Sequence, residues 1–345
     1  MSLRFRRSMK LIPGVRLNFN KDSIGLSVGV KGAHYTVNSK GRRTISAGIP
    51  GTGLYSVETL SSGRKTRSTS APLPALSNVR TGPPAPGLFA RKDERALNSF
   101  LLDIYNYEST DTPQEVVDKA AILKANFPGL SPAADLITFL HGVTDDVKNV
   151  DLELLGKDLW TNRATYFNHP LVEKYFDGLK PAAQITRGIS TNEIYNAQTL
   201  GFIYAELLQG KEKFDEALEV LNQMIPTQLV AISIADIEIT KKQFDDAIET
   251  TEDVENDDDA TAMLLVLRGI AFREKGMNDA SLECLKRAIS HKDRSEGLIH
   301  RALFERSETY MRLGKKAMAI KDLEKILVDE AKYPEVEKKL AELKK

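Results

Sequence analysis

Residues 262–293 read AMLLVLRGIAFREKGMNDASLECLKRAISHKD, and they hold the clearest copy of a pattern that recurs along the second half of the chain. In each copy a helical segment leads into a turn, and a second helical segment carries a small residue near its start. These small residues are spaced by 30, 34 and 38 positions: Ala217, Ala247, Ser281 and Ala319. A small side chain lets paired helices approach closely, so the spacing predicts an array of helix pairs.

This pattern resembles the tetratricopeptide repeat (TPR), whose length is about 34 residues. In the copy over 262–293, the residues that fall on consensus positions of that family are Gly269, Phe272, Gly276, Ser281 and Ala288. The copy over 300–331 has Ser307 where Gly is usual. The resemblance implies a helical solenoid that binds other proteins.

The remaining copies are degenerate. The copy over 194–226 has about one extra helical turn between Tyr204 and Phe214, and the copy over 228–259 lacks the first-helix Gly and aromatic. Residues 91–193 show helical periodicity without a readable consensus, and we expect helical hairpins of the same solenoid there.

In the tetratricopeptide family the first helix of each repeat lines a concave groove that binds a protein or peptide. The resemblance implies that the groove residues in two adjacent repeats are Met263, Val266, Ile270, Arg273, Glu274, Arg301, Phe304, Glu308, Met311 and Arg312. This mixture of apolar side chains and arginines suits a peptide or helix that carries acidic groups. For each of these residues, packing against a neighbouring helix is an equal alternative.

The N-terminal part of the chain has a different period. Apolar residues alternate with Gly, Ser, Thr, Asn or basic residues over 15–20, 23–30, 33–38 and 44–49, and a last short segment holds Tyr55. A period of two predicts a meander of four or five short antiparallel strands, with one apolar face and one face of small side chains.

Four motifs in this module occur together in one order: Arg4-Phe5-Arg6-Arg7-Ser8, Pro13-Gly14-Val15-Arg16-Leu17-Asn18, Ser27-Val28-Gly29 and Ile49-Pro50-Gly51-Thr52-Gly53-Leu54. They resemble the bacterial domain-of-unknown-function family 4236 over about residues 3–57. The resemblance implies a bacterial origin and a short module joined to other regions, and it implies no activity.

Charge separates the two parts of the chain. Residues 1–90 contain 14 Lys and Arg against Asp22 and Glu58, a net charge of +12, and the rest of the chain balances it with −12. The candidate contacts to a polyanion, either nucleic acid or an anionic lipid surface, are Arg4, Arg6, Arg7, Lys10, Arg16, Arg42 and Arg43. Self-association of the module and docking of the module onto the acidic part are the alternatives.

These observations predict a multidomain chain with a small antiparallel β module and an all-α, TPR-like solenoid. The expected domains are a basic β module over 1–60, a disordered Ser/Pro/Gly-rich linker over 61–90, helical hairpins over 91–193 and TPR-like repeats over 194–345.

No reaction is indicated by the residues. The five His are scattered, Cys284 is the single cysteine, and neither a metal-ligand spacing nor a nucleophile motif is present. No stretch approaches 18 apolar residues, the length of a membrane span. We therefore expect a cytoplasmic, non-enzymatic adaptor without a cofactor, in which the solenoid binds a protein partner and the basic module localises or oligomerises it.

Overall fold

The computed structural model describes residues 83–343, except 106–108, 146, 182, 192, 292, 331–332 and 334, together with the backbone of the strands between residues 7 and 61. The chain divides into two compact units. The first contains Met1–Ala182 and Asn192–Leu200, and the second contains Ala183–Thr191 and Gly201–Lys345. Most of the predicted linker lies outside the described residues, so the predicted domain boundaries stay predictions.

An antiparallel sheet forms from the alternating N-terminal segments. Its strands follow chain order, and each pairs with the next: β1 Arg7–Ile12, β2 Val15–Asn20, β3 Ser23–Val30, β4 Ala33–Asn38, β5 Arg43–Gly48 and β6 Tyr55–Ser61. The register sets Leu17 opposite Leu26 and Leu26 opposite Val37, so the apolar positions of successive strands form one row. The predicted meander starts at Val15, and β1 extends it by one strand.

The helices of the first unit begin after this sheet. They are α1 Lys92–Ile104, α2 Pro113–Asn126, α3 Ser131–Gly142, α4 Leu152–Thr161, α5 Arg163–Phe167 and α6 Pro170–Phe176, with a 3-10 turn at Pro128–Leu130. The start of α2 is fixed by a capping box, in which the Glu115 N–H donates to Thr112 Oγ1 and the Thr112 N–H donates to Glu115 Oε2. α1 carries one apolar stripe, and its members are all buried: Leu97, Phe100, Leu101 and Ile104.

Helix pairs make up most of the second unit. Its elements are the strands β7 Ala183–Thr186 and β8 Ile189–Thr191, then α7 Ala197–Gly210, α8 Phe214–Asn222, α9 Gln228–Thr240, α10 Phe244–Thr250, α11 Asp259–Glu274, α12 Asn278–Ala288, α13 Glu296–Arg312, α14 Lys316–Asp329 and α15 Val336–Leu343. The division between the units falls within α7, after Leu200. Odd-numbered helices from α7 to α13 are the first helices of the pairs, and even-numbered helices from α8 to α14 are the second helices.

The turns inside the pairs share one geometry. The second residue after each first helix has a positive φ, and these residues are Glu212 (58°), Lys242 (62°), Gly276 (80°) and Gly314 (70°). The next N–H donates to the carbonyl five residues earlier, as from Met277 to Phe272 at 2.8 Å. This is the hydrogen bond of a Schellman motif, and it closes a helix through a left-handed residue. The degenerate repeats therefore keep the turn although they lack its glycine.

Equivalent turns also align the first helices. The residues that accept the Schellman bond are Leu208, Glu238, Phe272 and Tyr310. Leu208 is thus the counterpart of Phe272, and Tyr204 lies one helical turn before it. This explains the extra turn between Tyr204 and Phe214 in the sequence.

Small residues occupy one equivalent position on each first helix. The counterparts of Gly269 on this alignment are Ala205, Ala235 and Ser307, and all three are buried. A Cβ added to Gly269 would lie 2.9 Å from Leu285 Cγ on α12, so α11 and α12 are in very close contact here. Ala217, Ala247, Ser281 and Ala319 on the second helices are fully buried, as their spacing predicts.

A β-hairpin interrupts the helices where only helical hairpins are expected. β7 and β8 pair antiparallel, with Ala183 opposite Thr191 and Thr186 opposite Ile189. The turn between them contains Gly188, whose φ of 98° favours glycine. The prediction of helical hairpins throughout 91–193 is therefore wrong for this segment, because apolar residues at alternate positions suit a half-buried strand.

Candidate partner-binding face

The first helices of the second unit form the surface on which a partner is predicted to bind. We call the side of α9, α11 and α13 that the β7–β8 hairpin contacts the first-helix face. The predicted groove residues lie on α11 and α13. Their burial and pairing differ from one end of these helices to the other.

The apolar side chains predicted on α11 are interior. Met263 and Val266 have no exposed surface, and Ile270 is 4% exposed. In the structure these three residues are packed inside the second unit, which is the alternative to partner contact. Their contact with a partner stays a prediction. Their burial follows from α11 being apolar on nearly its whole circumference, which is typical of a helix packed on several sides.

A buried ion pair joins α11 to α13. Arg273 Nη1 donates to Glu305 Oε2 at 2.7 Å and to the Glu305 carbonyl at 3.1 Å. Arg301 lies on the other carboxylate oxygen, with Nε 3.1 Å from Oε1. Burial lowers the pKa of the Arg273 guanidinium, but the carboxylates of Glu305 and Glu274 together more than offset this and raise it overall. The charge of Arg273 is thus neutralised within the chain.

The C-terminal ends of α11 and α13 carry the exposed part of the predicted set. Arg312 donates to both carboxylate oxygens of Glu274 at 2.7 Å and to the Arg273 carbonyl at 2.7 Å, so the structure brings these residues side by side. Burial raises the pKa of Glu274, while hydrogen bonds from Arg312 and Arg273 lower it by more, so it lies below its ordinary value. Met311 and Arg312 are exposed.

The middle of α13 is covered by other parts of the second unit. Phe304 is 6% exposed and packs with Tyr333 and with Val336 and Leu340 of α15. Lys339 lies over the Phe304 ring at 5.3 Å and pairs with Glu308 at 2.7 Å. Phe304 and Glu308 are therefore in contact with the C-terminal segment of the chain.

Arg187, at the tip of the hairpin, also lies on this face. Its guanidinium carbon is 4.2 Å from the centre of the Tyr333 ring and 5.2 Å from that of Phe304. Sequence reasoning missed Arg187 and Tyr333. The signal for the first was present, because apolar residues at alternate positions on both sides of Arg187-Gly188 indicate a hairpin tip.

Four of the candidate polyanion contacts lie on strands of the N-terminal sheet. Arg7 and Lys10 are in β1, Arg16 is in β2 and Arg43 is in β5, and only their backbone is described. The register sets Lys10 opposite Arg16. The other candidates, which lie outside the described residues, are Arg4, Arg6 and Arg42.

No metal centre is found among the residues that the structure describes, where three or more His, Cys, Asp or Glu side chains are nowhere placed to hold an ion. His141 is buried in α3, and burial lowers its pKa to about 4. Burial has the opposite effect on the half-buried Cys284 thiol and raises its pKa, because the charged form is a thiolate. In the same described part of the chain, no helix is both long and apolar enough to cross a membrane.

Both family resemblances are confirmed. Residues 3–57 match the family model described as a protein of unknown function, DUF4236, and residues 300–327 match a tetratricopeptide-repeat model. The second match covers most of α13 and α14, the last helix pair.

Among solved structures, the chain is similar to the N-terminal domain of the EccA1 ATPase from the ESX-1 secretion system of Mycobacterium tuberculosis. The TM-score is 0.58 at 14% identity, and the match covers 73% of this chain and 90% of that one. At this identity the likeness shows the fold alone. A search of the curated proteins gives no match.

Proposed function

We propose that this protein is a non-enzymatic interaction scaffold whose helix pairs bind a protein or peptide partner. The observation that carries the proposal is the row of side chains at the C-terminal ends of α11 and α13. Equivalent positions of two adjacent repeats are in contact there, and Met311 and Arg312 remain exposed. Rows built from successive repeats are the surfaces with which solenoids bind extended partners.

The chemistry of this row favours a partner segment with an apolar side chain flanked by charges of both signs. Met311 supplies a flexible apolar contact, and flexible methionines adapt to varied partners. Arg312 and Glu274 form an exposed bidentate pair that a charged partner group can join. The arginines of the row are already paired with carboxylates of the chain, so a purely acidic partner is not favoured.

The test compares two double variants of the full-length, tagged chain after cross-linking in its native cells. We expect Met311→Ala with Arg312→Ala to reduce partner capture about tenfold, the effect of roughly 1.4 kcal/mol of lost contact energy. The matched control is Met318→Ala with Lys316→Ala, which removes an exposed Met and a positive charge from α14. Equal capture by the two variants would place the interface elsewhere on the chain.

The basic module supports a second candidate function, binding of nucleic acid or an anionic membrane surface. Lys10 and Arg16 are opposite each other on paired strands, and like charges in this arrangement repel unless an anion lies between them. Localisation or self-association through the module accounts for the same charge.

Full-length protein and the variant Lys10→Gln with Arg16→Gln are titrated with duplex DNA, RNA and anionic vesicles at rising salt. We expect wild-type binding to weaken steeply with salt, and the variant to have a smaller salt slope, because each lost phosphate contact releases fewer counterions. Identical salt slopes would exclude these two residues from the contact.

A further inference from the structure

The tip of the β7–β8 hairpin is held in an aromatic cleft of the second unit. Arg187 lies over the rings of Tyr333 and Phe304, whose centroids are 5.9 Å apart, and His300 meets Tyr333 edge-on at 5.8 Å. A guanidinium over two aromatic faces is held by cation–π attraction, and these side chains form the walls of a receptor for an arginine.

Backbone packing fixes the residue that follows Arg187. A Cβ on Gly188 would lie 2.8 Å from the Gly297 carbonyl oxygen at the start of α13 and 3.3 Å from Met263 Cε. The place next to the cleft therefore accepts a glycine and excludes larger residues. A third contact comes from Thr186, whose Oγ1 donates to Asp236 Oδ2 on α9 at 2.9 Å.

The hairpin thus contacts two of the residues, Met263 and Phe304, that the repeat pattern assigns to partner binding. We infer that the hairpin is an internal ligand of the first-helix face, and that the face accepts a partner segment that presents an arginine followed by a glycine in a tight turn. Such a segment competes with Arg187-Gly188 for the Phe304–Tyr333 cleft. This inference rests on the proposed function. It names the chemistry of the partner and requires the hairpin tip to leave the cleft before the partner binds.

Competition has a quantitative consequence. A ligand tethered in the same chain has an effective concentration on the order of millimolar, so an external ligand binds weakly until the internal one is loosened. Removal of the Arg187 guanidinium loosens the hairpin while leaving the cleft intact. We therefore expect the cleft to bind an external arginine turn more tightly in an Arg187→Ala chain than in wild type.

The probe is a backbone-cyclised, fluorescent peptide with the sequence AQITRGIST of residues 183–191. Its anisotropy is measured with full-length wild type, Arg187→Ala and Gly188→Ala, the last of which lifts the tip from Gly297. Both variants are expected to bind the peptide at least fivefold more tightly than wild type. The same peptide with Ala in place of Arg is expected to bind none of the three chains.

Two matched controls accompany the variants. Arg163→Ala removes another arginine that lies 4.2 Å over an aromatic ring, that of Trp160 in the first unit. Gly210→Ala adds a Cβ where nothing lies within 4 Å. Both are expected to bind the peptide as wild type does, and circular dichroism establishes that all chains are folded.

Two results overturn the inference: no binding to any chain, or equal binding to wild type and both hairpin variants. The hairpin is then a fixed part of the second unit. If the Met311/Arg312 variant still loses its partner while the peptide fails, the proposed function stands and the internal ligand is refuted. If the peptide binds as expected while that variant keeps its partner, the cleft stands and the exposed row is not the interface.

Discussion

The pairs α7–α8 and α9–α10 and the pairs α11–α12 and α13–α14 have the same turn geometry with different residues. The left-handed position holds Glu212 and Lys242 in the former pairs and glycine in the latter. Glycine adopts this conformation without the steric cost that other residues bear. The comparison teaches that helix packing dictates the turn, and that the consensus glycine relieves strain without creating the geometry.

A second difference between these regions lies between their first helices. The positions of Arg273 and Glu305 correspond to Ile239 and Leu267 one repeat earlier. An ion pair therefore joins α11 to α13, whereas the corresponding positions of α9 and α11 hold two apolar residues. Replacing buried ion pairs by apolar residues is often neutral, but removing one partner leaves a buried charge uncompensated.

We expect Arg273→Ala to lower the free energy of unfolding by about 3 kcal/mol, because Glu305 stays buried and loses the shorter of its two ion-pair contacts. Arg273→Ile with Glu305→Leu and Arg301→Met, which copies the corresponding residues Ile239, Leu267 and Met263 one repeat earlier, is expected to cost less than about 1 kcal/mol. Urea denaturation of the full chain measures both. Equal losses for the single and triple variants would mean that this charged cluster is not interchangeable with its apolar counterpart.

Gly269→Ala tests the small residue at the helix crossing, which Ala205 and Ala235 already fill in the degenerate pairs. The new Cβ would lie 2.9 Å from Leu285 Cγ. Overpacking costs about 2 kcal/mol and the gain in helix propensity returns about 1, so we expect a net loss of about 1 kcal/mol. Gly269→Ala should cost less in a Leu285→Ala background than in wild type, because the shortened side chain leaves room for the new Cβ. A stability gain for Gly269→Ala alone would show that α11 and α12 can move apart.

Glu212→Gly and Lys242→Gly bring the degenerate turns to the consensus. Each is expected to raise the free energy of unfolding by about 0.5 to 1 kcal/mol, because the left-handed conformation is relieved of its Cβ. The matched control is Lys241→Gly, whose φ of −76° is helical, and which should be destabilising. Thermal denaturation measures these changes. If Lys241→Gly and Lys242→Gly change the stability in the same direction, the strain argument is wrong.

The smallest expected effect is a difference in pH response. Burial raises the pKa of Asp236 on α9 above its ordinary value of 3.8, so its contribution to stability is lost as pH rises through the folded-state pKa. The pKa of Glu274 on α11 is lowered, and its contribution is lost as pH falls. Relative to wild type, Asp236→Asn should therefore gain more stability at pH 7 than at pH 4. Glu274→Gln should lose more stability relative to wild type at pH 7 than at pH 4. Urea denaturation at both pH values measures these differences. If neither carboxyl changes its pKa on folding, the stability difference between each variant and wild type will be the same at pH 4 and pH 7.

Much of the fold was predictable because it depends on short-range signals. The Thr112 capping box, the apolar stripe of α1 and the small residues of the second helices each appear within a few residues of the structure that they specify. The local signal is weak at Glu212, because nothing in that residue type favours a positive φ. The sequence therefore does not predict the left-handed turn between α7 and α8.

The candidate site was less predictable. The family positions identify the helices that carry the first-helix face, and the structure places Arg273 and Arg312 together as neighbours in adjacent repeats. They do not reveal that Met263 and Val266 are interior, because a consensus position does not record what else packs on it.

By itself, the sequence determined the helix-pair repeat, the alternating N-terminal strands and the separation of charge, since period and composition are local properties of the chain. Only the tertiary structure decided what occupies the first-helix face. Arg187, Phe304 and Tyr333 are more than a hundred residues apart at their extremes, and their contact depends on how the hairpin, α13 and the C-terminal segment pack. Side-chain contacts over such separations follow from the summed packing of all intervening helices, which no local pattern encodes.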